Sequence, residues 1–210
     1  MEKGSETTTQ NAKTGAQVHK PCAGGMPQTD NTDTWFVAIV KKHNEIRCQD
    51  FLNKLTSQGY PVESYVANQQ ILHFYSNRTR RLVNHIVIPG KIFIRVNEEH
   101  RQDLLKLCPL LSYYKMDPAR VTASGSRDFA RVSDIEIQRL RDILASADGP
   151  VEYLETPPKS GDKIQVLSGR FHGLKGYVLE DADKKFAIII LDQLGSFRIK
   201  IPTKDLGQIV

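Results

Sequence analysis

The stretch TWFVAIVKKHNEIRCQDFL, residues 34–52, begins where the composition of the chain changes from polar to apolar. Its opening residues are aromatic, β-branched or otherwise apolar, a composition typical of a buried strand. Asn44 is a suitable N-cap for a helix that must end before residues 59–61, Gly-Tyr-Pro. One apolar stripe at helical spacing supports that helix: Cys48, Phe51, Leu52 and Leu55. The stretch therefore predicts a strand followed by a helix that packs on a sheet.

Strands and helices continue to alternate along the chain. KIFIRV, residues 91–96, has the period of two that a half-buried strand requires. A second helix is expected between Asn97 and Pro109, and a third begins at a capping box formed by Ser133 and Glu136. Further extended segments are expected at 62–70, 71–76 and 111–116. This order predicts an α+β fold, a ferredoxin-like domain with helices on an antiparallel sheet.

A second kind of pattern begins at GDKIQVLSGRFHGLKGYV, residues 161–178, which contains four glycines. These follow neither G-x-G-x-x-G nor the phosphate-loop spacing, and no amphipathic helix comes after them to bind an anion. The glycines instead predict positive φ angles or tight bends between short strands. About 50 residues of short strands bury a core only by curling, so we expect a small SH3-like β-barrel.

Composition divides the chain into four parts. Residues 1–32 are polar and have little to bury, which indicates a disordered tail. Residues 33–147 hold the ferredoxin-like domain, and residues 159–210 hold the barrel. Between them, residues 148–158 combine prolines, glycine and charges, which predicts a short and fairly stiff linker.

The charge and cysteine content exclude several classes of protein. The net charge of +5 and pI of about 9.1 permit contact with a polyanion without requiring it. The three cysteines form no C-x-x-C pair, which argues against a disulfide framework and a zinc site. No secretory signal is evident, and the longest apolar run, Ala187–Leu191, is too short to cross a bilayer. We expect a soluble monomer of the reducing cytoplasm.

Three motifs resemble the NusG family of transcription elongation factors, which pair an N-terminal NGN domain with a C-terminal KOW domain. The first is the stretch 34–52 quoted above. The second, IVIPGKIFIRV at 86–96, is similar to the family's Phe-Pro-Gly-Tyr-Val-Phe-Val strand. The third, residues 161–178, is similar to the KOW signature. The three motifs occur in the family's order and together span nearly all of the chain from Thr34. At Ile88-Pro89-Gly90-Lys91 the sequence departs from the family's Phe-Pro-Gly-Tyr. With this departure the chain looks most like the specialised paralogues of the RfaH and UpxY type.

The resemblance implies partners and the residues that contact them. It implies an apolar patch that docks on the clamp of RNA polymerase, formed by Ile88, Pro89, Gly90 and Phe93. It implies contact with the non-template DNA strand near the first strand, and basic residues there and farther along are the candidates: Lys41, Lys42, His43, Arg47, Arg80 and Arg81. It also implies that Phe171, exposed between Gly169 and Gly173, recruits a small-subunit ribosomal protein or the Rho terminator.

Two classes of function remain at this point. The resemblance implies a factor that suppresses pausing or termination, in the specialised paralogues on long surface-polysaccharide operons. The alternative is a KOW-type RNA-binding accessory protein of translation, which explains the charge and the glycines but not the ferredoxin-like domain. No nucleophile has an evident base, and the six histidines lack metal-ligand spacing. We therefore expect no enzyme, no catalytic residue, no cofactor and no metal.

Overall fold

The computed structural model describes residues 33–76, 78–155, 161–181, 184–200 and 205–208. They belong to one compact unit, Asn31–Val210. The tail predicted for residues 1–32 and the paired prolines of the predicted linker, Pro157 and Pro158, lie outside the described residues.

The first part of the chain contains three helices and nine strands among the described residues. In chain order they are β1 Thr34–Val40, α1 Glu45–Ser57, β2 Glu63–Tyr65, β3 Asn68–Phe74, β4 Arg80–Ile86, β5 Lys91–Val96, α2 Glu98–Leu107, β6 Leu111–Tyr114, β7 Met116–Val121, β8 Arg127–Phe129, β9 Arg131–Val132 and α3 Asp134–Ser146. The helices predicted at Asn44, Asn97 and Ser133 all form.

The main sheet of this part has the strand order β2-β5-β1-β6, and β9 also pairs with β1. All of these pairings are antiparallel. With α1 between β1 and β2 and α2 between β5 and β6, this is the split βαβ arrangement that the sequence predicts. The α+β fold class is confirmed.

The two faces of β1 belong to different hydrophobic cores. Phe36, Ala38 and Val40 lie in one core with Cys48 and Leu52 of α1. Trp35 and Val37, which alternate with them, lie in the other core, which also contains the apolar stripe of α3 and the inner residues of the last strands. Because successive strand residues point to opposite faces, helices pack on both sides of this sheet.

Two hairpins stand apart from the main sheet. β3 pairs with β4 in one two-stranded ribbon, and β7 pairs with β8 in another. The predicted extended segments 62–70 and 71–76 both overlap β3, whereas neither β4 nor the β7–β8 hairpin is predicted from the sequence. The segment of this second hairpin, residues 116–129, contains a proline and the small, mostly polar stretch TASGS at 122–126, so it shows no strand periodicity.

The last part of the chain forms a six-stranded antiparallel sheet. Its strands are β10 Glu152–Leu154, β11 Asp162–Val166, β12 Lys175–Asp181, β13 Lys184–Leu191, β14 Gly195–Lys200 and β15 Leu206–Gln208. The order is β10-β14-β13-β12-β11-β15, so the last strand returns to pair with β11. β10 lies in the segment that the sequence assigns to the linker, and it pairs with β14.

Two buried thiols that form no disulfide lie next to each other between the first two helices. The Sγ atoms of Cys48, in α1, and Cys108, at the end of α2, lie 3.7 Å apart, and both cysteines are free. Both side chains are fully buried in the core beneath the sheet. They act here as small apolar side chains with a weak S–H donor.

Candidate interaction surfaces

The turn between β1 and α1 presents the predicted basic group to solvent. Lys41, Lys42 and His43, in this turn, and Arg47, in the first turn of α1, are all exposed. His43 has a φ of 70°, in the left-handed region that only a few per cent of residues other than glycine occupy. The backbone N–H of Asn44 donates to the carbonyl of Lys41 at 3.1 Å and closes the turn. Four side chains that carry or can acquire positive charge therefore project from one short segment.

A buried carboxylate joins this turn to the Pro-Gly motif. Glu45, the first residue of α1, is 2% exposed, and its Oε1 accepts a 2.7 Å hydrogen bond from the N–H of Gly90. On the other side of the turn, the N–H of Val40 donates to the carbonyl of Gly90 at 3.0 Å. The structure thus brings the segments of Lys41–Arg47 and Pro89–Gly90 together, although they are more than forty residues apart in the sequence.

The apolar members of the predicted polymerase patch are not at the surface. Ile88 and Phe93 are each 1% exposed and lie in the core that includes α3 and the last strands. Pro89 is exposed and Gly90 is half-buried. The expectation of an exposed apolar patch at Ile88 and Phe93 is therefore wrong for this conformation. The physical reason is that α3 and the C-terminal sheet give this face of β5 an apolar surface to pack against.

Arg80 and Arg81 occupy a different place from the β1–α1 turn. Both are exposed on β4, in the hairpin that it forms with β3. The guanidinium of Arg80 lies over the ring of Phe74, 4.9 Å from its centroid. The six predicted nucleic-acid residues thus fall into two groups, one on the turn and one on the hairpin.

The predicted docking residue of the C-terminal sheet is also covered. Phe171 is 8% exposed and belongs to the core shared with α3, so the expectation that it is exposed is wrong. Gly169 and Gly173 on either side are exposed, with φ angles of 78° and 85°. A cavity of ≈ 180 Å³ is lined both by α3, through Ile143, and by this loop, through Phe171. Phe171 therefore points toward the helix, while the residues on either side of it remain exposed to solvent.

Both ends of α3 are bound to loops of the C-terminal sheet. At its beginning, the N–H of Ser133 donates to Oε1 of Gln193 at 2.7 Å, and Oε2 of Glu136 accepts from the N–H of Gln193 at 2.9 Å. At its end, Arg170 donates to the carbonyl of Ser146 at 3.1 Å. Together these bonds and the shared core hold α3 against the last strands.

Only one of the two hydrogen bonds of the predicted capping box forms. Oγ of Ser133 accepts the N–H of Glu136 at 3.3 Å, as expected of an N-cap. The carboxylate of Glu136 does not return to the N–H of Ser133, since both are bonded to Gln193. Burial raises the pKa of Glu136, and the backbone N–H groups of Gln193 and Asp192 act in the opposite direction.

Neither a metal site nor a membrane span is found in the described part of the chain. No three histidine, cysteine or acidic side chains there are grouped closely enough to hold a metal ion. No described helix is both long and apolar enough to span a bilayer.

Comparison with known proteins gives a likeness in structure alone. No family model matches the sequence, and no curated protein matches it. The chain is similar to the solved structure "Domain interaction in Thermotoga maritima NusG", with a TM-score of 0.49 and 17% identity over 85% of this chain and 98% of that one.

Two solved forms of the MjSpt4:Spt5 complex are also similar. Conformation A has a TM-score of 0.29 and 13% identity over 83% of this chain and 97% of that one. Conformation B has a TM-score of 0.28 and 15% identity over 83% and 96%. Identities this low leave function to be argued from the residues of this chain.

Three residues that matter to these surfaces have no distinctive signal in the sequence. Glu45 is an ordinary acidic residue in the first turn of a helix, which the helix dipole favours anyway. Gln193 lies in a turn, and Arg170 lies in the glycine-rich loop. Their roles depend on partners between 24 and 60 residues away. In the sequence, only the glycines around Arg170 indicate that this loop has a specific conformation.

Proposed function

We propose that this chain is a transcription elongation or antitermination factor that binds RNA polymerase through its N-terminal sheet and suppresses pausing or termination. The observation that carries the proposal is the contact between Glu45 and Gly90, which sets the basic turn beside the Pro-Gly turn. A protein that grips an enzyme moving on DNA needs a protein-binding surface beside a phosphate-binding one. Pro89 and Gly90 contribute to the first, and Lys41, Lys42, His43 and Arg47 form the second.

The proposed action is adhesion in the cytoplasm, with no bond made or broken. A ligand that touches two mobile parts of polymerase favours their closed arrangement by its differential affinity for that arrangement. The non-template strand would meet the turn at Lys41–Arg47, and Arg80 and Arg81 would extend the basic surface. Such phosphate contacts add affinity without sequence information and weaken with salt.

The buried residues constrain this proposal. If Ile88 and Phe93 dock on the polymerase clamp, α3 or the C-terminal sheet must first move away from them, because each is 1% exposed. The same movement would release Phe171 for a ribosomal protein or Rho. We propose that 33–147 and 159–210 act as two modules joined by the linker 148–158, on long surface-polysaccharide operons.

The test is retention of purified bacterial core RNA polymerase on the immobilised full-length chain at low and moderate salt. A second arm uses an assembled elongation complex with an exposed non-template strand. The double variant Lys41→Glu, Lys42→Glu should retain core enzyme normally and bind the elongation complex more weakly. Its matched control is Lys163→Glu, Lys175→Glu, which makes the same change in charge at two exposed lysines of the C-terminal sheet. Absence of any retention at low salt contradicts the proposal.

A further inference from the structure

One edge of the β3–β4 hairpin has free backbone groups. The N–H of Tyr75 donates to the carbonyl of Thr79 at 3.0 Å, so this is a hydrogen-bonded pair of the ribbon. Such pairs alternate with non-bonded ones in antiparallel strands. By the register of the hairpin, the backbone groups of Gln70, Leu72 and Phe74 therefore point away from β4. Among the described residues, β3 has no second strand partner on that side.

A groove runs along this free edge. It has a volume of ≈ 560 Å³ and is lined by all of Gln69–Phe74 and, across from them, by Ala147–Pro150. Successive residues of a strand point to opposite faces, so six in a row line one groove only if the groove follows the strand's edge.

The width of the groove is fixed by the buried side chain of Gln69. Its Nε2 donates to the carbonyls of Leu144 and Gly149, at 3.3 and 3.0 Å. Its Oε1 accepts the N–H of Val151 at 3.1 Å. These three bonds hold the far wall at a set distance from β3, so the groove exists before any partner arrives.

The side chains beside the groove differ on the two faces of the ribbon. Leu72, Phe74 and Leu82 are 48%, 61% and 66% exposed, and the alternation places them on one face. His73 and Arg81 pair across the strands on the other face. Arg80, which pairs with Phe74, shares the face of Leu72 and Leu82, so basic side chains lie on both faces of the ribbon. An added strand would thus meet Leu72 and Phe74 on one face and His73 on the other.

The hairpin carries positive charge without an acidic residue to balance it. No aspartate or glutamate occurs from Ser64 to Asn97, whereas Arg78, Arg80 and Arg81 lie in or beside the hairpin. Asp148, on the far wall of the groove, lies 3.7 Å from Arg170. The charge of this surface therefore favours a negatively charged partner.

We propose that the free edge of β3 binds an extended acidic segment of a partner protein, which adds to the hairpin as a third strand. The outward N–H and C=O groups of β3 require both acceptors and donors at strand spacing, and a peptide backbone supplies both. Nucleic acid supplies phosphate acceptors but no matching row of donors. The segment that fits alternates apolar residues, beside Leu72 and Phe74, with acidic ones beside His73, on the face that also carries Arg81.

The experiment measures fluorescence anisotropy of a labelled eight-residue peptide of alternating valine and glutamate added to the full-length chain. Leu72→Pro removes an N–H that points outward, so it leaves the bonds between β3 and β4 in place. The matched control, Leu72→Ala, loses the same side chain but keeps the N–H. Binding should weaken at least about tenfold in Leu72→Pro relative to Leu72→Ala.

Two further arms identify the occupant. A peptide of the same sequence with alternate backbone nitrogens methylated should bind at least about tenfold more weakly, because its donors are lost. Hydrogen exchange at the amides of Gln70, Leu72 and Phe74 should be fast in the free chain and slowed by the peptide, while the amide of His73 is protected in both and reports that each variant keeps the hairpin.

Three results overturn the proposal. One is the absence of binding to the wild-type chain at millimolar peptide. Another is equal binding by Leu72→Pro and Leu72→Ala. The last is protection of the Leu72 amide by a single-stranded oligonucleotide and not by the peptide, which assigns the groove to nucleic acid. None of these measurements involves polymerase, so the proposed function can fail while this inference stands.

Discussion

Glu136 and Gln193 hold each other across the boundary between α3 and the C-terminal sheet. The carboxylate of Glu136 accepts the N–H of Gln193 at 2.9 Å, and the side chain of Gln193 accepts the N–H of Ser133 at 2.7 Å. These two bonds give a hydrogen-bond partner to the N–H of Gln193 and to the N–H of Ser133 at the beginning of the helix. Glu136 is 6% exposed, so water has little access to this site. Loss of its carboxylate would therefore leave the N–H of Gln193 buried without a hydrogen-bond partner.

Glu136→Ala should loosen the contact between α3 and the C-terminal sheet. A hydrogen bond to a charged group contributes about 1.5–3 kcal/mol, and the free energy of unfolding should fall by about that amount. Under the proposed function, retention of core RNA polymerase should rise, since Ile88 and Phe93 are uncovered more often. Urea denaturation and the retention assay measure the two effects. A stable variant with unchanged retention would separate this contact from polymerase binding.

Glu136→Gln tests the titration of the same group. Burial raises the pKa of Glu136 in the folded chain, so the folded state holds this proton more tightly than the unfolded state. Its contribution to stability is complete below the ordinary pKa of a glutamate and is lost as the pH rises through the raised value. The unfolding free energy of the wild type relative to Glu136→Gln should therefore fall as the pH rises from 4 toward neutral. A constant difference over that range would show that the pKa is not raised.

Local patterns explain what the sequence predicts well. β1, α1 and the cap at Ser133 depend on residues close to each other in the chain, so apolar composition, helical spacing and capping chemistry suffice to predict them. The exposure of Ile88, Phe93 and Phe171 depends instead on whether α3 and the last strands pack on them. That packing joins residues from positions 35 to 199 in one core, and no local pattern encodes it.

Glu45→Ala should separate the Pro-Gly turn from the basic turn. The N–H of Gly90 would lose its carboxylate acceptor, at a cost of about 1–3 kcal/mol in unfolding free energy. Exchange of the Gly90 amide with solvent should become faster, while amides in the centre of β5 should be unaffected. Glu45→Gln keeps an oxygen at the same place and serves as the control. Equal exchange rates at Gly90 in the wild type and Glu45→Ala would contradict the role given to this carboxylate.

Gly176→Ala should be far more damaging than Gly173→Ala. A Cβ at Gly176 would overlap the carbonyl oxygen of Ile188 on the paired strand, so the sheet must open. We expect a loss of about 3 kcal/mol of unfolding free energy, the upper end of the usual cost of overpacking. A Cβ at Gly173 meets nothing within 4 Å and suffers only from the φ of 85°, a cost of about 1–2 kcal/mol. Thermal denaturation of the two variants gives the comparison, and similar losses would refute the close approach at Gly176.

Neutralising the basic turn should change how binding to single-stranded DNA depends on salt. Each phosphate contact contributes about 0.7 to the slope of log affinity against log salt for a single strand. If Lys41 and Lys42 each contact one phosphate, the double variant Lys41→Ala, Lys42→Ala should lower the slope by about 1.4. Titrations of a labelled oligonucleotide at several salt concentrations measure it. The control variant Lys163→Ala, Lys175→Ala removes the same charge from the C-terminal sheet and should leave the slope unchanged. If both double variants lower the slope equally, the DNA responds to the net charge of the protein and does not contact the turn specifically.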